Sequence, residues 1–375
     1  MRKHLVLAGG GHAHLTTILR IPEFVARGHR VTVISPEPYH YYSGMGPGML
    51  SGTYTPQEAR LHIRRMVQDR GGLYLEDAVD RVFPDQQVLR LASGTEIPYD
   101  VVSFNVGSSV PLGDADLACP NILPVKPVVN LHRVRRMVLS SEYGDSPHIV
   151  VVGGGPAGVE VAANSRTLLD RAGGKGQVTL VAGTKLLKDH PAAVGKHAAA
   201  SLLKRGTRLL QGVRMVSSTP TRLLLSDGSS LPYDLILVAV GVHPPSLFRD
   251  SGMHTDTAGG LVVNEHLQSV QYPEIFGGGD CVSLKGSPIS RVGVHAVRQN
   301  PVLFQNLMSS LEGWKLESFK VNPVYLLIMN MGEGTGIAWR RNFVWAGRSA
   351  FFLKDIIDRR FMRRFQVSGE LEEPI

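Results

Sequence analysis

Two glycine-rich loops, a domain's length apart, carry the residue types that bind the pyrophosphate of a dinucleotide. The glycines are Gly9, Gly10 and Gly11 in the first loop, and Gly153, Gly155 and Gly158 in the second. Glycine permits a tight turn and close backbone approach, so a pyrophosphate can rest on the free N–H groups of the following helix. Two such loops imply two dinucleotides that meet, an arrangement that suits hydride transfer between them.

Each loop must lie between a strand and a helix, and the surrounding sequence supplies both. An apolar run precedes each loop, and an alanine-containing helical stretch follows it. Second strands are predicted at 30–34 and 178–181. The segment 99–107 has a close parallel in 233–241, because both begin Tyr-Asp, continue with an apolar run and end in glycine. This internal duplication supports two related nucleotide-binding domains.

The predicted fold class is α/β, with two Rossmann-like (three-layer ββα) dinucleotide-binding domains and a small C-terminal α+β module that faces a membrane. The apolar run 274–276 leads into a glycine–acid turn and suits a strand of the first domain, so the chain is expected to return there near Pro244. The predicted ranges are 1–112 with 244–320 for the first domain, 113–243 for the second and 321–375 for the module.

Shorter elements follow from local pattern. The segment 36–52 is rich in Tyr, Gly and Met and is predicted to form neither a strand nor an ordinary helix. A hairpin with an Asp-Gly turn is predicted at 223–231. The remaining predictions are a helix over about 55–70, strands near 73–75 and 87–91, a proline-punctuated crossover at 111–127 and a helix that carries Arg133, Arg135 and Arg136.

Composition narrows the class of protein. The chain has 375 residues with 43% hydrophobic content, enough to bury the cores of two or three domains. Cys119 and Cys281 are its only cysteines and form no Cys-x-x-Cys motif, which disfavours a disulfide-stapled secreted protein and favours a cytoplasmic location. No metal site is predicted. No signal peptide is expected, and no apolar run approaches the roughly 18 residues of a membrane span.

Much of the net charge of +8 lies near the C-terminus. Between Trp339 and Phe365 stand eight basic residues against two aspartates, interleaved with aromatic residues. Such a segment is typical of a membrane-surface anchor, which predicts a peripheral position on the inner face of the membrane. The pattern is imperfect because Phe352 and Ile356 fall among arginines, so a docking helix with solvated arginines or a homodimer contact are alternatives. Nucleic-acid binding is not expected, because no reader fold accompanies the charge.

The order of these motifs resembles that of the two-dinucleotide-binding-domain flavoproteins, the pyridine nucleotide-disulfide oxidoreductase superfamily. Within it the chain is most similar to the type II NADH dehydrogenase and sulfide:quinone reductase branch, close to NADH-dehydrogenase-like proteins associated with selenophosphate synthetase. The resemblance covers essentially the whole chain. It rests on Gly-Gly-Gly-His-Ala-His at 9–14, Tyr-His-Tyr-Tyr-Ser-Gly-Met at 39–45, Pro-Gly-Met-Leu at 47–50 and Lys-Asp-Ile-Ile-Asp-Arg-Arg-Phe-Met at 354–362.

The resemblance implies FAD in the first domain. His14 replaces the usual third glycine and could donate to a phosphate. Ser35 stands where an acidic residue usually caps the second strand, so Glu37 is expected to bind the ribose hydroxyls. A helix that opens over 291–300 should point its N-terminus at the flavin. Asp280 should accept from a ribityl hydroxyl. The full set implied for FAD is Gly9, Gly10, Gly11, His14, Ser35, Glu37, Tyr42, Gly44, Met45, Val79, Asn105, Gly107, Gly279, Asp280 and Val294.

NAD(P)H is implied in the second domain, at Gly153, Gly155, Gly158 and Gly241. The strand 178–181 is followed by Ala-Gly-Thr-Lys, with no carboxylate for an NAD ribose. Lys185 and Lys188 would instead hold a 2′-phosphate, which favours NADPH. Alternatively, the second site binds weakly or is vestigial, as in the sulfide:quinone reductases.

The segment 42–50 occupies the place where disulfide reductases of this superfamily carry redox cysteines, and it has none. Electrons must therefore pass directly to a diffusible acceptor, and the resemblance implies a quinone reached from the membrane side. The residues implied for catalysis are Glu160 as a proton relay, Lys126 as a partner of Glu160, and Lys354 near the quinone end. The alternatives are a structural ion pair for Glu160 and simple packing for Tyr41, Tyr42 and Met45.

Three functions compete. The leading hypothesis is an FAD enzyme that oxidises NAD(P)H and reduces a quinone or a similar acceptor. The second is a sulfide- or selenide-type quinone oxidoreductase, which needs a reactive cysteine pair near the flavin. The third is a non-catalytic, flavin-bearing partner in selenium metabolism, which would bind FAD without being reduced by either nicotinamide.

Overall fold

The framework of the structure consists of two five-stranded parallel sheets of the same design. The computed structural model describes residues 2–111, 119–287 and 289–373. Its strands are β1 (His4–Ala8), β2 (Arg30–Ser35), β3 (Tyr39–Tyr41), β4 (Arg60–His62), β5 (Leu73–Glu76), β6 (Val79–Phe83), β7 (Val88–Leu91), β8 (Glu96–Pro98), β9 (Val101–Phe104), β10 (Ile122–Pro124), β11 (His148–Val152), β12 (Gln177–Ala182), β13 (Arg208–Gln211), β14 (Met215–Ser218), β15 (Arg222–Leu225), β16 (Ser230–Pro232), β17 (Leu235–Val238), β18 (Leu261–Val263), β19 (Ile275–Gly277), β20 (Val282–Leu284), β21 (Leu327–Asn330), β22 (Gly336–Arg340) and β23 (Phe343–Gly347).

The helices complete the layers around these sheets. They are α1 (Leu15–Leu19), α2 (Ile21–Ala26), α3 (Gly46–Ser51), α4 (Ile63–Gln68), α5 (Val129–Leu139), α6 (Pro156–Arg171), α7 (Ala192–Lys204), α8 (Leu247–Asp250), α9 (Gly293–Glu312) and α10 (Arg348–Phe365). Single 3₁₀ turns occur at His12–His14, Pro84–Gln86, Gly279–Cys281 and Glu370–Glu372. None of the helices in the described ranges has the length and apolar composition that a bilayer crossing requires.

The two parallel sheets place their glycine loops in the same position. The first sheet has the order β19-β9-β1-β2-β5 and the second β10-β17-β11-β12-β13. In each sheet the strand before the glycine loop, β1 or β11, is central and wholly buried or nearly so, as its unbroken apolar sequence requires. Strand β19 pairs in parallel with β9, through Ile275 opposite Val102, so a late segment completes the first sheet. The α/β fold prediction is confirmed.

Smaller antiparallel sheets complete the molecule. The sheets β6-β7-β8 and β14-β15-β16 supply the additional layer expected of each nucleotide-binding domain, and the predicted Asp-Gly hairpin is the β15–β16 pair. The C-terminal part consists of the sheet β21-β22-β23 with α10 against it. The domain limits stay predictions, and the boundary at 112/113 and part of the 111–127 crossover lie outside the described residues.

Two local predictions were wrong, and the pairing of β3 with β4 contributes to both. The segment 36–52 is regular, because β3 and α3 lie within it, and the helix expected from residue 55 begins only at Ile63. Strand β4 takes up 60–62 because it pairs with β3, with Tyr39 opposite His62. The His62 Nδ1 then accepts from the Arg65 N–H, which starts α4. Pairing between segments distant in sequence overrides the local helical pattern here.

Candidate active site

The first glycine loop is locked to the end of β9 by one asparagine. Gly9 has a φ of +93°, and a β-carbon there or on Gly11 would overlap Asn105. The Asn105 Oδ1 accepts from the Ala13 N–H at 2.9 Å, and its Nδ2 donates to the Gly278 carbonyl at 2.7 Å. One buried amide therefore joins the loop after β1 to the glycine–acid turn after β19, and it acts by shaping the cradle.

His14 anchors the loop from inside. One ring nitrogen lies 2.7 Å from the Gly9 carbonyl oxygen and the other 2.8 Å from the Ser103 hydroxyl, and the side chain is fully buried. Burial also lowers the pKa of His14 to about 4, so the ring is neutral at pH 7. No ring nitrogen is left for a phosphate. The expectation that His14 donates to one is therefore corrected.

The second loop keeps an open cradle. Gly153 has a φ of +136° and lies against the Ala239 carbonyl, while Gly158 lies against the Gly153 carbonyl, so neither position has room for a side chain. Gly155 precedes α6 without a side-chain cap, and a β-carbon there would meet no atom within 4 Å. The N-terminus of α6 therefore presents free N–H groups to open space, as pyrophosphate binding requires. Gly241, with a φ of +108°, also borders open space.

Asp280 lies in the turn after β19, and its carboxylate is held by two donors. Lys126 Nζ lies 2.6 Å and the Ser108 hydroxyl 2.8 Å from its Oδ2. Lys126 was expected to pair with Glu160, and the structure corrects this partner to Asp280. The lysine follows β10, a strand of the second sheet, so the ion pair ties the second sheet to the glycine–acid turn of the first.

A buried charged network joins all three parts of the chain. Lys354 Nζ, on α10, lies 2.7 Å from the Asp358 Oδ2 and donates to the Gly44 carbonyl at 2.8 Å. The Tyr42 hydroxyl donates to the other Asp358 oxygen at 3.0 Å. Glu160, on α6, accepts from the Asn330 N–H at 2.7 Å and is coupled to Lys354 through charge, with no hydrogen bond between the two side chains. Sequence reasoning missed Asp358, although its i, i+4 spacing from Lys354 places both on one face of a helix.

Electrostatics within this network favour a titrating carboxyl. Burial raises the pKa of Glu160 to about 7, although Lys354 opposes the shift. Burial disfavours the charge on Lys354, but Asp358 and Glu160 outweigh it and raise its pKa. Burial, followed by the Asp358 charge, raises the pKa of Tyr42 well above its usual range. Near neutral pH the lysine is thus charged, the tyrosine is protonated and Glu160 exchanges a proton.

Aromatic rings cover this network on one side. Tyr42 and Phe361 stack with ring centroids 4.7 Å apart, and His12 lies 5.4 Å from Tyr42. His40 and His12 are joined through ring nitrogens 3.2 Å apart. Burial lowers the pKa of both imidazoles. The two histidines thus form a neutral pair beside the first glycine loop. The sequence motifs contain both residues but assigned neither of them a role.

The other predicted cofactor residues border the same end of the first sheet. Ser35 ends β2 and its hydroxyl donates to the Glu37 carbonyl, while the exposed Glu37 carboxylate makes no bond to any described residue. Their roles toward a cofactor stay predictions. The remaining positions are Met45, buried at the N-cap of α3; Val79, first in β6; Gly107 and Gly279, with φ of +75° and +74°; and Val294, in the first turn of α9.

The residues around the first loop fit a bound FAD. The glycine cradle leaves no room for side chains, and several buried polar atoms beside it lack a partner in the described ranges. The His12 Nε2 is one, and the Gln299 Nε2 is another, on a side chain whose oxygen already accepts from the Gly279 N–H. Buried polar groups are normally satisfied, so these atoms indicate a ligand.

The chain is similar in sequence to proteins that are named as an oxidoreductase and as a quinone reductase. The chain is 25% identical to oxidoreductase ptaL of Pestalotiopsis fici, over 94% of this chain and 95% of that protein. It is 23% identical to demethylphylloquinone reductase NdbB of Synechocystis sp., over 86% and 83%.

Solved structures show the same fold. The sulfide:quinone oxidoreductase of Aquifex aeolicus superposes with a TM-score of 0.79 at 17% identity, covering 99% of this chain and 94% of that one. NDH2 from Plasmodium falciparum in complex with NADH gives 0.78 at 15% identity, covering 97% and 100%. Residues 3–303 match the family described as pyridine nucleotide-disulphide oxidoreductase. The chain belongs to this family and is an oxidoreductase whose cofactors are FAD and NAD(P)H.

Proposed function

We propose that this chain oxidises NAD(P)H and reduces a quinone, with NAD(P)H, one proton and the quinone giving NAD(P)⁺ and the quinol. The observation that carries the proposal is the buried network of Glu160, Lys354, Asp358 and Tyr42, which lies where the two nucleotide domains meet α10. The quinone reductase activity in the name of the relative NdbB agrees with it. The proximity of a titrating carboxyl to a fixed cation suits an acceptor that gains electrons and protons together.

Family membership indicates which chemistry the cofactor would supply and which residues of the chain would hold it. Bound FAD would supply the redox chemistry that connects oxidation of the nicotinamide to reduction of the second substrate. The glycine loop at Gly9–Gly11 would hold its pyrophosphate, and Asp280 would accept from its ribityl chain. Helix α9 begins at Gly293 without a side-chain cap. Its free N–H groups and its dipole would therefore favour negative charge placed at this end of the helix.

Protons are handled by the network. Glu160, with a pKa of about 7, is about half protonated at neutral pH, and its protonated form can give a proton to an acceptor oxygen. Lys354 stays charged and is fixed by Asp358 and the Gly44 carbonyl, so its positive charge can stabilise negative charge on that oxygen without reorganisation.

Thiol chemistry is a poor alternative. Cys281 is fully buried, and burial raises its pKa to about 12, while its Sγ contacts the Phe104 and Gly278 carbonyls. Cys119 is also buried. A sulfide or selenide oxidoreductase of the usual kind needs accessible thiolates, which these positions do not provide. The link to selenium metabolism rests on the sequence resemblance alone.

The outer face of α10 supports attachment to a membrane surface, the source of a lipid-soluble quinone. Phe352 is 66% exposed, and Ile356, Ile357 and the nearby Phe343 are also exposed. Arg360, Arg363 and Arg364 follow on the exposed side of the same helix. Apolar side chains beside arginines suit the interface of an anionic bilayer, while the inner face of the helix carries Lys354.

The experiment is anaerobic mixing of the purified flavoprotein with NADH, NADPH and sulfide in turn, followed by addition of a short-chain quinone. We expect the visible flavin absorption to bleach with a nicotinamide and to return with the quinone. Bleaching by sulfide alone would favour the thiol-type alternative. Bleaching by none of the three would favour a non-catalytic flavin carrier and end the proposal.

A further inference from the structure

We infer that the second nucleotide site recognises the 2′-phosphate of NADPH through Arg214, assisted by Lys185; this rests on the proposed function of the site. The ribose position is marked by Ala182, the last residue of β12. A β-carbon placed on Gly154 would lie 2.7 Å from the Ala182 Cβ, so Ala182 adjoins the glycine loop directly. In NAD sites a carboxylate at this strand end binds the ribose hydroxyls, and here neither Ala182 nor Gly183 supplies one.

Arg214 occupies the space beside that strand end. A β-carbon on Gly183 would lie 2.8 Å from the Arg214 Cγ and 3.3 Å from its Nε. The arginine stem therefore crosses Gly183, and any side chain at 183 would displace it. The guanidinium comes from the connection between β13 and β14, far from the motif in sequence, which is why pattern reading noted only the two lysines.

The guanidinium is available for a ligand. Both backbone polar groups of Arg214 are engaged with Ser226: its N–H donates to the Ser226 hydroxyl and its carbonyl accepts from the Ser226 N–H. Among described residues, the guanidinium has no hydrogen bond or ion pair. Asp227, on the neighbouring hairpin, accepts instead from the Ser229 N–H and hydroxyl. Lys185 and Lys188 follow Gly183 closely in the sequence, are exposed and form no ion pair with a described carboxylate.

This distribution of charge separates the two nicotinamide cofactors. Arg214 lies beside a strand end that has no carboxylate, and Lys185 and Lys188 follow it in sequence, so the 2′-hydroxyl of NADH meets no carboxylate at Ala182 or Gly183. A 2′-phosphate brings negative charge and several acceptor oxygens, and the planar guanidinium can bind two of them at once. Lys185 adds charge without a fixed geometry.

The test is equilibrium binding of two fragments, 2′,5′-ADP and 5′-ADP, to the FAD-loaded protein by calorimetry. We expect 2′,5′-ADP to bind at least about tenfold more tightly, and Arg214→Ala to remove most of that difference while changing 5′-ADP affinity less than about twofold. Arg208→Ala is the matched control, because it removes one exposed arginine at the opposite end of β13, where Arg208 pairs with Thr179. It should leave both affinities unchanged.

Equal affinity of the wild type for the two fragments overturns the inference, as does binding of neither, which is the vestigial-site alternative. Equal loss of both fragments in Arg214→Ala, with an unchanged melting temperature, overturns the role of Arg214. Fragment discrimination without any quinone reduction would leave this inference intact and defeat only the proposed function.

Discussion

At the level of a single residue, the proposed role of Glu160 as a proton donor can be tested through its pKa. Its pKa of about 7 means that the carboxyl is protonated below that pH and ionised above it. If the protonated form serves the acceptor, quinone turnover falls as pH rises through about 7. Glu160→Gln should lower quinone turnover by about 100-fold and remove this pH dependence.

The half-reaction with NAD(P)H provides the control for Glu160→Gln. Flavin bleaching by the nicotinamide in stopped flow should stay within about twofold of the wild type, because hydride transfer needs no proton from this residue. A pH profile that persists unchanged in the variant would assign the titration to another group and leave Glu160 as a structural acceptor for Asn330.

Lys354 and Asp358 allow stability and function to be separated. Both side chains are buried, with exposures of 7% and 3%. Lys354→Met leaves the Asp358 charge unpaired and should lower the free energy of unfolding by about 3 kcal/mol, whereas the double variant Lys354→Met, Asp358→Leu should be close to neutral. Urea titration measures this difference. Quinone turnover should stay low in both, and its recovery in the double variant would show that Lys354 acts only structurally.

Gly9 tests the first nucleotide site. Gly9→Ala places a β-carbon into the Asn105 carbonyl, so we expect the protein to purify without flavin colour. Gly28→Ala is the control, since Gly28 has a φ of +84° but no atom within 4 Å of the added carbon. Both variants carry the left-handed backbone cost of about 1–2 kcal/mol. The ratio of visible to ultraviolet absorption measures the flavin content of each variant. If both variants lose flavin, backbone strain rather than the contact with Asn105 causes the loss.

At the residue scale, the sequence predicted the residues that a backbone motif requires. It did not predict side-chain partners that come together only when distant segments pack. The glycines follow from a motif, because only glycine fits such close approaches. The Lys126 partner could not be inferred, since it depends on how the crossover meets the turn after β19. The position of Arg214 beside Gly183 could not be predicted either, because it depends on the packing of two segments that are distant in sequence.

At the element scale, α10 has an exposed apolar and basic face, for which we proposed membrane contact, and a buried face that carries Lys354. Phe352→Ser with Ile356→Ser should reduce sedimentation with anionic phospholipid vesicles by at least about fivefold, because apolar area buried in the interface is lost. Leu203→Ser is the control: Leu203 lies on α7 and is 58% exposed. Unchanged sedimentation, or a shift from dimer to monomer in the double variant, would instead assign this face to a homodimer contact.

Strands and helices could be predicted where a single hydrophobic pattern covered the whole segment. Apolar runs predicted the buried strands β1 and β11. The glycines that follow β11 predicted the start of helix α6. Helix α4 starts later than its pattern suggested because β4 is recruited by β3, a pairing that no local window contains.

At the scale of the whole molecule, duplication was the most informative signal. The repeat of 99–107 in 233–241 predicted two sheets of one design, which the matching strand orders show. How the two units and α10 converge on Glu160 and Lys354 was not predictable, because that geometry is set by packing between domains rather than by either repeat.

Strand β19 has a consequence for synthesis on the ribosome. It completes the first sheet beside β9, yet it leaves the exit tunnel only after the entire second sheet has done so. During translation the second nucleotide unit can therefore close first, while β9 keeps an unpaired edge that invites misassociation. The late arrival of Ile275–Gly277 seals that edge and, through the turn that follows, brings Asp280 to Lys126 only after the second sheet has been synthesised.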